Sequence, residues 1–177
     1  MLLTVGHAAL DRDALTRLLR SASVTHLVDV RRFPGSRSNP DVKRDALERW
    51  LPEAGIDYRW EERLGGRRHL RKEDDAVSPD TWWQVAAFRA YAGWTRSADF
   101  GAAMTELLEQ ATDDAGVVVM CSEAVWWRCH RRLIADVAVL GHDVEVRHLM
   151  HDGARRPHPV AEGARRKGPG TLVWDGA

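Results

Sequence analysis

Two cysteines, a histidine and several charged side chains lie close together between residues 121 and 131 of this 177-residue chain. Cys121 and Glu123 follow an apolar run at residues 116–120, and Cys129, His130 and Arg131 come shortly after. Thiolates, imidazoles and carboxylates are the groups that perform nucleophilic and acid–base chemistry in enzymes. The stretch therefore supplies three candidate catalytic residues, which are Glu123, Cys129 and His130.

Cys129 is predicted to lie at the amino terminus of a helix, beside His130 and Arg131, where unpaired N–H groups and positive charge favour a thiolate. It is a candidate nucleophile or redox thiol, although a small buried residue is the commoner role of cysteine. His130 is a candidate general base. Adjacent residues on a helix point about 100° apart, which makes direct pairing of His130 with Cys129 awkward, so a capping or buried hydrogen-bonding role is an equal alternative.

Glu123 is the stronger candidate for acid–base work. A carboxylate that follows a strand and stands beside Val125, Trp126 and Trp127 is expected to be partly desolvated, which would adjust its pKa for proton transfer. The alternative is that Glu123 is a structural partner of an arginine. The adjacent tryptophans are candidates for stacking on a base or a sugar, although one member of such a pair is often part of the core.

A second polar stretch, residues 31–39, combines arginines with other donors and follows the predicted strand at residues 26–30, which contains Asp29. Guanidinium, hydroxyl and amide groups suit phosphate or carboxylate. Exposed arginines are commonly only a solvated surface, but prolines constrain this loop and favour an anion site. Asp29 either orients an arginine or caps the loop. The candidate substrate-binding residues are Arg31, Arg32, Ser36, Arg37, Asn39 and, from the other stretch, Arg131.

A metal site is the alternative to the anion site. Cys121, Cys129, His130 and His7 are ligand types that suit zinc. The cysteine spacing is not the short Cys-x-x-Cys pair that is usual for structural zinc, so the anion site ranks first. We predict no structural zinc and no cofactor. With only two cysteines, both beside polar residues, we also predict that they form no stable disulfide.

The elements that would position these residues alternate along the chain. Apolar runs predict strands at residues 2–5, 26–30, 56–60, 116–120 and 144–149. Helical periodicity predicts helices at residues 11–20, 42–54, 81–91, 100–111 and 133–140, with Asp11 or Asp13 and Asp80 as caps and Gly55 and Gly141 as stops. This alternation predicts an α/β, three-layer fold with a mainly parallel sheet and helices on both faces. Loops at the carboxyl edge of such a sheet are where ligands bind.

Composition limits the remaining questions. Residues 1–150 are predicted to form a single α/β domain. Residues 151–177, rich in proline, glycine and basic pairs, are predicted to form an extended basic tail with a short strand at residues 172–174. Acidic and basic residues are equal at 26 each, so no global positive charge indicates nucleic acid. No apolar run approaches the roughly 20 residues of a membrane helix, and a cytoplasmic location is expected.

Several motifs occur in an order that resembles the bacterial domain of unknown function (DUF) family 488. They are residues 4–7 (TVGH), residues 27–37 (LVDVRRFPGSR), Asn39-Pro40, Leu64-Gly65-Gly66, Cys121-x-Glu123 and Cys129-His130-Arg131. Ser122 stands where alanine is expected in that family. The resemblance implies a compact α/β protein of one domain with no settled activity.

These observations lead to one expected site, formed by the 31–39 loop, the Gly65-Gly66 loop and the 121–131 turn. The leading hypothesis is an enzyme of unknown reaction that acts on a phosphorylated or nucleotide-like substrate through Glu123. The alternative is a module that binds nucleic acid or a nucleotide without catalysis, through the same arginines, the tryptophans and the basic tail. The expected partner is thus a small anionic ligand or nucleic acid and not a membrane, and the sequence carries no signal for an oligomeric state.

Overall fold

Eight strands and six helices make up the computed structural model, within the residues it describes, 1–111 and 116–177. The strands are β1 (Leu2–Gly6), β2 (His26–Asp29), β3 (Asp57–Trp60), β4 (Val117–Cys121), β5 (Val146–Leu149), β6 (Arg155–Pro157), β7 (Ala164–Gly168) and β8 (Thr171–Trp174). The helices are α1 (Arg12–Ser21), α2 (Arg44–Glu53), α3 (Lys72–Ala76), α4 (Ala86–Trp94), α5 (Ala98–Gln110) and α6 (Arg131–Asp136). Strands therefore alternate with helices through most of the chain.

The main sheet has the order β3-β2-β4-β1-β5-β6, and every neighbouring pair is parallel except the antiparallel pair β5–β6. Alternate residues of β4 point to opposite faces, as the pleat requires. Val119 packs with α5 and α6, whereas Val118 and Met120 pack with α1 and α2. Helices cover both faces, which confirms the predicted α/β fold with a mainly parallel sheet.

Two local signals gave correct helix boundaries. The Asp11 carboxylate accepts a hydrogen bond of 2.8 Å from the backbone N–H of Ala14, which caps α1. Gly55 follows α2 with a φ of 79°, a left-handed conformation that glycine adopts without steric cost. Both residues act at the predicted positions because their effect depends only on the neighbouring backbone.

Two other boundaries differ from the prediction. Asp80 does not cap a helix, since α4 begins only at Ala86; its buried carboxylate pairs with Arg96 at 2.6 Å instead. Gly141 is the last residue of the helical segment after α6, but it does not adopt the left-handed conformation expected of a glycine stop. The chain continues there in a wider π-helical turn (Val137–Gly141), and Asp143 adopts the left-handed conformation with a φ of 57°. A short aspartate side chain tolerates this conformation better than most residues.

The prediction of an extended tail for residues 151–177 is wrong. Strand β6 extends the main sheet, and β7 and β8 form an antiparallel hairpin. Leu172 and Trp174 are fully buried in the core cluster that also contains α5 and α6. The Trp174 indole N–H donates to Asp136 at 2.9 Å, so the segment is held by both apolar and polar contacts.

Among the residues that the structure describes, no helix combines the length and the apolar character needed to cross a membrane.

Candidate functional site

The carboxyl ends of β1, β2 and β4 lie side by side at one edge of the sheet. Backbone hydrogen bonds continue past the strands, from His7 N–H to the Cys121 carbonyl and from Val30 N–H to the Met120 carbonyl, both at 2.9 Å. The loops that follow these strands therefore meet, although they are far apart in sequence. This is the arrangement expected for parallel strands.

A cavity of about 440 Å³ opens at this edge, and we call it the cleft. Its walls come from the end of β1 (His7 and Ala8), the loop after β2, the loop that contains Gly66 and Arg67, helix α4 and the turn after β4. The cleft thus adjoins all three segments that the sequence analysis placed at one site.

Three side chains on the wall of the cleft form what we call the Cys–Cys–His cluster, namely Cys121, Cys129 and His130. The His130 Nδ1 atom lies 3.6 Å from Cys129 Sγ and 3.9 Å from Cys121 Sγ. All three candidate ligand atoms lie within 4.8 Å of one another. Cys121 is the last residue of β4 and both sulfurs are buried, so rigid elements hold the cluster.

Packing fixes the His130 ring. Its Nε2 atom lies 3.0 Å from the Val30 carbonyl oxygen, which can only accept a hydrogen bond, so Nε2 carries the proton and Nδ1 presents a lone pair to the sulfurs. The Tyr91 ring of α4 packs edge to face against the His130 ring, with 5.1 Å between the two ring centres. A Cβ atom at Gly66 would lie only 2.7 Å from Nδ1, so glycine is required for this close approach.

Sequence reasoning judged a direct contact between Cys129 and His130 awkward because it placed both in a helix. In the structure Cys129 precedes α6 and has extended backbone angles (φ −124°, ψ 149°), between a 3₁₀ turn (Trp126–Arg128) and the helix. An extended residue does not follow the 100° helical rotation, so its sulfur reaches the neighbouring imidazole.

The two thiols differ in acidity. The hydrogen bond shared with Cys129, together with burial, raises the pKa of Cys121 to about 12. Burial by itself would also raise the pKa of Cys129, but the hydrogen bond from Cys121 and the charge of Arg131 outweigh it and lower that pKa to about 6. Cys129 is thus the more acidic of the two thiols.

Arg131, a predicted substrate-binding residue, does not line the cleft. It is buried, and its guanidinium donates to Cys129 Sγ at 3.5 Å through Nε and to the Glu123 backbone carbonyl through Nη2. Its positive charge lies next to the Cys129 sulfur on the side away from the cleft. Its hydrogen bonds to Cys129 and Glu123 connect the two ends of the 121–131 turn. Arg131 is thus a positioning residue in this geometry.

Arg31 lines the cleft but is largely occupied by other contacts. Its Nε and Nη2 donate to the two carboxylate oxygens of buried Asp29 at 2.8 and 2.5 Å, and Nη2 also reaches the Val42 carbonyl at 2.8 Å. Asp29 therefore orients an arginine, the first of its two predicted roles. Nη1 lies 3.2 Å from Nε2 of His7. Burial, followed by the charge of Arg31, lowers the pKa of His7 to about 4.

The other residues of the 31–39 loop have different locations. Arg32 and Ser36 line the cleft, although the Ser36 hydroxyl also accepts the Asn39 backbone N–H at 2.9 Å. The Asn39 amide donates to the Leu10 carbonyl at 2.7 Å and anchors the loop to the chain before α1. Arg37 is exposed and lies outside the cleft wall. Only part of the predicted anion-binding set therefore faces the cavity.

Glu123 lines the cleft at its rim. Its side chain is exposed, so the expectation that it would be partly desolvated is wrong. The neighbouring tryptophans make other contacts or face solvent. Trp126 stacks on His148 at 4.2 Å, and Trp127 is 46% exposed. Glu123 is accessible to a ligand, but its carboxylate is exposed to solvent.

Sequence reasoning missed several residues of the cleft. Arg67 and Arg128 line it, both exposed, and Phe88 and Tyr91 of α4 complete the wall. Arg128 lies inside the motif that was singled out, and Arg67 directly follows the Gly65-Gly66 pair. Their positions beside these two motifs were the sequence signal that could have identified them as cleft residues. The α4 residues had no comparable signal because their contact with the cleft is purely tertiary.

Two arginines of the basic C-terminal segment form ion pairs with aspartates. Arg165 pairs with Asp175, and Arg166 pairs with Asp143 at 2.5 Å. Among the described residues, neither arginine lines the cleft. Arg155, Arg156 and Lys167 of the same segment are exposed.

Comparison with known proteins gives one match. Residues 11–138 match the family model "Domain of unknown function DUF488". No curated protein and no solved structure matches the chain. The matched range includes β2, β4, the 31–39 loop and the whole Cys–Cys–His cluster.

Proposed function

The chain belongs to the DUF488 family, and from that premise we propose that it is an enzyme that binds a small phosphorylated or nucleotide-like substrate in the cleft. The observation that carries this proposal is that arginine side chains line the same cavity as Cys129 and His130. An anion-binding wall beside potentially reactive groups is typical of an active site. The family description assigns no function, so the argument rests on the cleft.

Anion recognition is supported by Arg32, Arg67 and Arg128. Arg67 and Arg128 are exposed. Arg32 makes a long hydrogen bond of 3.5 Å to the Arg67 carbonyl, and its guanidinium lies 5.7 Å from the centre of the Phe33 ring. These guanidinium groups retain donors for a ligand, in contrast to Arg31. Planar guanidinium groups bind phosphate through paired hydrogen bonds, which are stronger than neutral ones.

The cleft also suits the rest of such a substrate. Its volume of about 440 Å³ lies in the range of ordinary small-molecule sites. Phe33 and Phe88 supply aromatic surface on the wall of the cleft. A base or sugar ring can pack against this surface. Glu123 at the rim supplies an acceptor for a hydroxyl or a base N–H and a carboxylate for proton transfer.

Binding is tested by isothermal titration with inorganic phosphate and nucleoside monophosphates. Replacing both Arg67 and Arg128 with glutamine is expected to weaken binding by at least about tenfold, since hydrogen bonds to charged groups contribute about 1.5–3 kcal/mol each. Arg49→Gln on α2 is the matched control, because Arg49 is exposed and does not line the cleft. Equal loss in the control, or no binding by the unmodified protein, contradicts the proposal.

Glu123→Gln separates catalysis from binding. The variant retains the shape and one acceptor but loses the group that transfers a proton, so turnover should stop while ligand binding persists. The rival module without catalysis draws support from exposed Trp127 beside Arg128. For that module, removal of a negative charge should strengthen binding to single-stranded nucleic acid, and such strengthening without any turnover would favour it.

A further inference from the structure

We propose that Cys121, Cys129 and His130 bind one zinc ion on the wall of the cleft. This inference departs from the sequence-based prediction of no metal, which relied on the spacing of the cysteines. It deepens the proposed function, because it assigns a reactive centre to the same cleft. Metal binding itself can be measured without any substrate.

The distances within the cluster match those between zinc ligands. Zinc–sulfur bonds of about 2.3 Å and zinc–nitrogen bonds of about 2.0–2.1 Å, at tetrahedral angles, separate a sulfur from a nitrogen by about 3.6 Å. The observed separations of Nδ1 from the two sulfurs are 3.6 and 3.9 Å. Both nitrogen–sulfur distances therefore fit a tetrahedral zinc site, and the two sulfurs, which lie within 4.8 Å of each other, would approach to about 3.8 Å around the ion.

The surroundings of His130 are those of a metal ligand. A ligating histidine usually donates its other ring N–H to a carboxylate or a backbone carbonyl, which fixes the tautomer. Here Nε2 lies 3.0 Å from the Val30 carbonyl and leaves Nδ1 as the free lone pair. Gly66 keeps the space beside Nδ1 open, since a Cβ atom there would lie 2.7 Å away.

Charge and ligand type also favour zinc. Two thiolates and a neutral imidazole neutralise a divalent ion, and soft sulfur ligands prefer zinc to magnesium or calcium. Arg131 donates to Cys129 Sγ at 3.5 Å, an outer contact that orients the ligand. A metal-free cluster of two hydrogen-bonded thiols and an imidazole would have similar distances. Metal uptake therefore distinguishes a zinc site from such a cluster.

Three protein ligands are the pattern of catalytic zinc, whose fourth position holds water or substrate. All three residues line the cleft, so a ligand there can reach the ion. The arginines on the same wall would hold the anionic group of the substrate. The cleft would thus combine an anion-binding wall with a Lewis acid.

The test measures metal in the full-length protein, purified in a reducing buffer. Zinc content by elemental mass spectrometry should reach one equivalent per chain. Cobalt titrated into metal-free protein should give a thiolate charge-transfer band and the visible bands of tetrahedral cobalt. The variants Cys121→Ser, Cys129→Ser and His130→Gln should each lose more than about 100-fold in affinity, beyond the 10–100-fold typical of outer contacts. His69→Gln, an exposed histidine outside the cluster, should retain full affinity.

Circular dichroism checks that each variant is folded. If a variant unfolds, protection of the two thiols from alkylation by added zinc in the unmodified protein supplies the readout. A folded, reduced protein that takes up neither metal overturns the inference, as does undiminished cobalt binding in all three folded variants. Loss of phosphate binding in the arginine variants with zinc retained leaves the metal site standing. Conversely, phosphate binding without metal leaves the proposed function standing.

Discussion

The Nε2 atom of His130 lies 3.0 Å from the carbonyl oxygen of Val30, although one hundred residues separate the two along the chain. This contact joins the turn after β4 to the end of β2 and orients Nδ1 toward both sulfurs. We expect nitrogen-15 NMR of the imidazole to show His130 in the Nε2–H tautomer at neutral pH. A spectrum of the Nδ1–H tautomer would contradict this geometry.

Gly6 is expected to tolerate no side chain. A Cβ atom there would lie 1.8 Å from the Glu123 carbonyl oxygen, which belongs to backbone that is held by β4. Gly6→Ala should therefore destabilise the fold by more than about 3 kcal/mol, or prevent folding. Gly101→Ala, in α5 with open space around it, should instead stabilise the protein by about 0.5–1 kcal/mol. Urea unfolding measures both, and similar effects of the two changes would refute the argument.

Arg31 is expected to contribute mainly to stability. Arg31→Met leaves the Asp29 carboxylate buried without its ion-pair partner, which typically costs about 3–5 kcal/mol. Arg37→Met, on the exposed part of the same loop, should change the free energy of unfolding by less than about 0.5 kcal/mol. Chemical denaturation decides between the roles. If Arg31→Met retained full stability and lost only phosphate binding, Arg31 would be a substrate ligand.

Trp174 is expected to anchor the C-terminal hairpin. Its indole is fully buried and hydrogen-bonded to Asp136. Trp174→Ala should lower the free energy of unfolding by about 3–5 kcal/mol, the usual cost of removing a buried tryptophan. Trp127→Ala, at an exposed tryptophan, is the control and should have little effect. A Trp174 variant as stable as the parent would restore the description of residues 151–177 as a tail.

His148 should make stability depend on pH. Burial, with added repulsion from His158 and Arg131, lowers the pKa of His148 from 6.5 to about 3. Between these values the unfolded chain binds a proton that the folded chain does not, so stability is complete above about pH 6.5 and declines toward pH 3. The decline attributable to His148 should amount to a few kcal/mol, at about 1.4 kcal/mol per pH unit.

The measurement compares unfolding by urea at several pH values. His148→Gln should reduce the slope of stability against pH in this window, whereas His69→Gln, at an exposed site, should leave it unchanged. Carboxylates contribute to acid unfolding in every variant, so only the difference between slopes is informative. Parallel slopes in all three proteins would exclude His148 as the titrating group.

Much of the fold followed from local signals. The apolar runs at β1, β2 and β4, the Asp11 cap and the Gly55 stop act through neighbouring backbone, and the alternation of elements sufficed for a mainly parallel sheet. Because the motifs follow the predicted strands, they also indicated correctly which loops meet at the carboxyl edge of the sheet. Asp80 and the C-terminal segment were misjudged because distant partners decide their roles. Arg96 binds Asp80, and the core accepts Trp174.

The sequence alone therefore determined which segments approach one another, since parallel strands deliver their loops to a common edge. Only the tertiary structure decided what each side chain does there. Arg31 pairs with Asp29, while Arg67 and Arg128 remain free to face the cleft. Cys129 is extended rather than helical, so that two sulfurs and one imidazole nitrogen converge. The His130 ring is also oriented by the Val30 carbonyl, one hundred residues away, and no local pattern of amino acids encodes that contact.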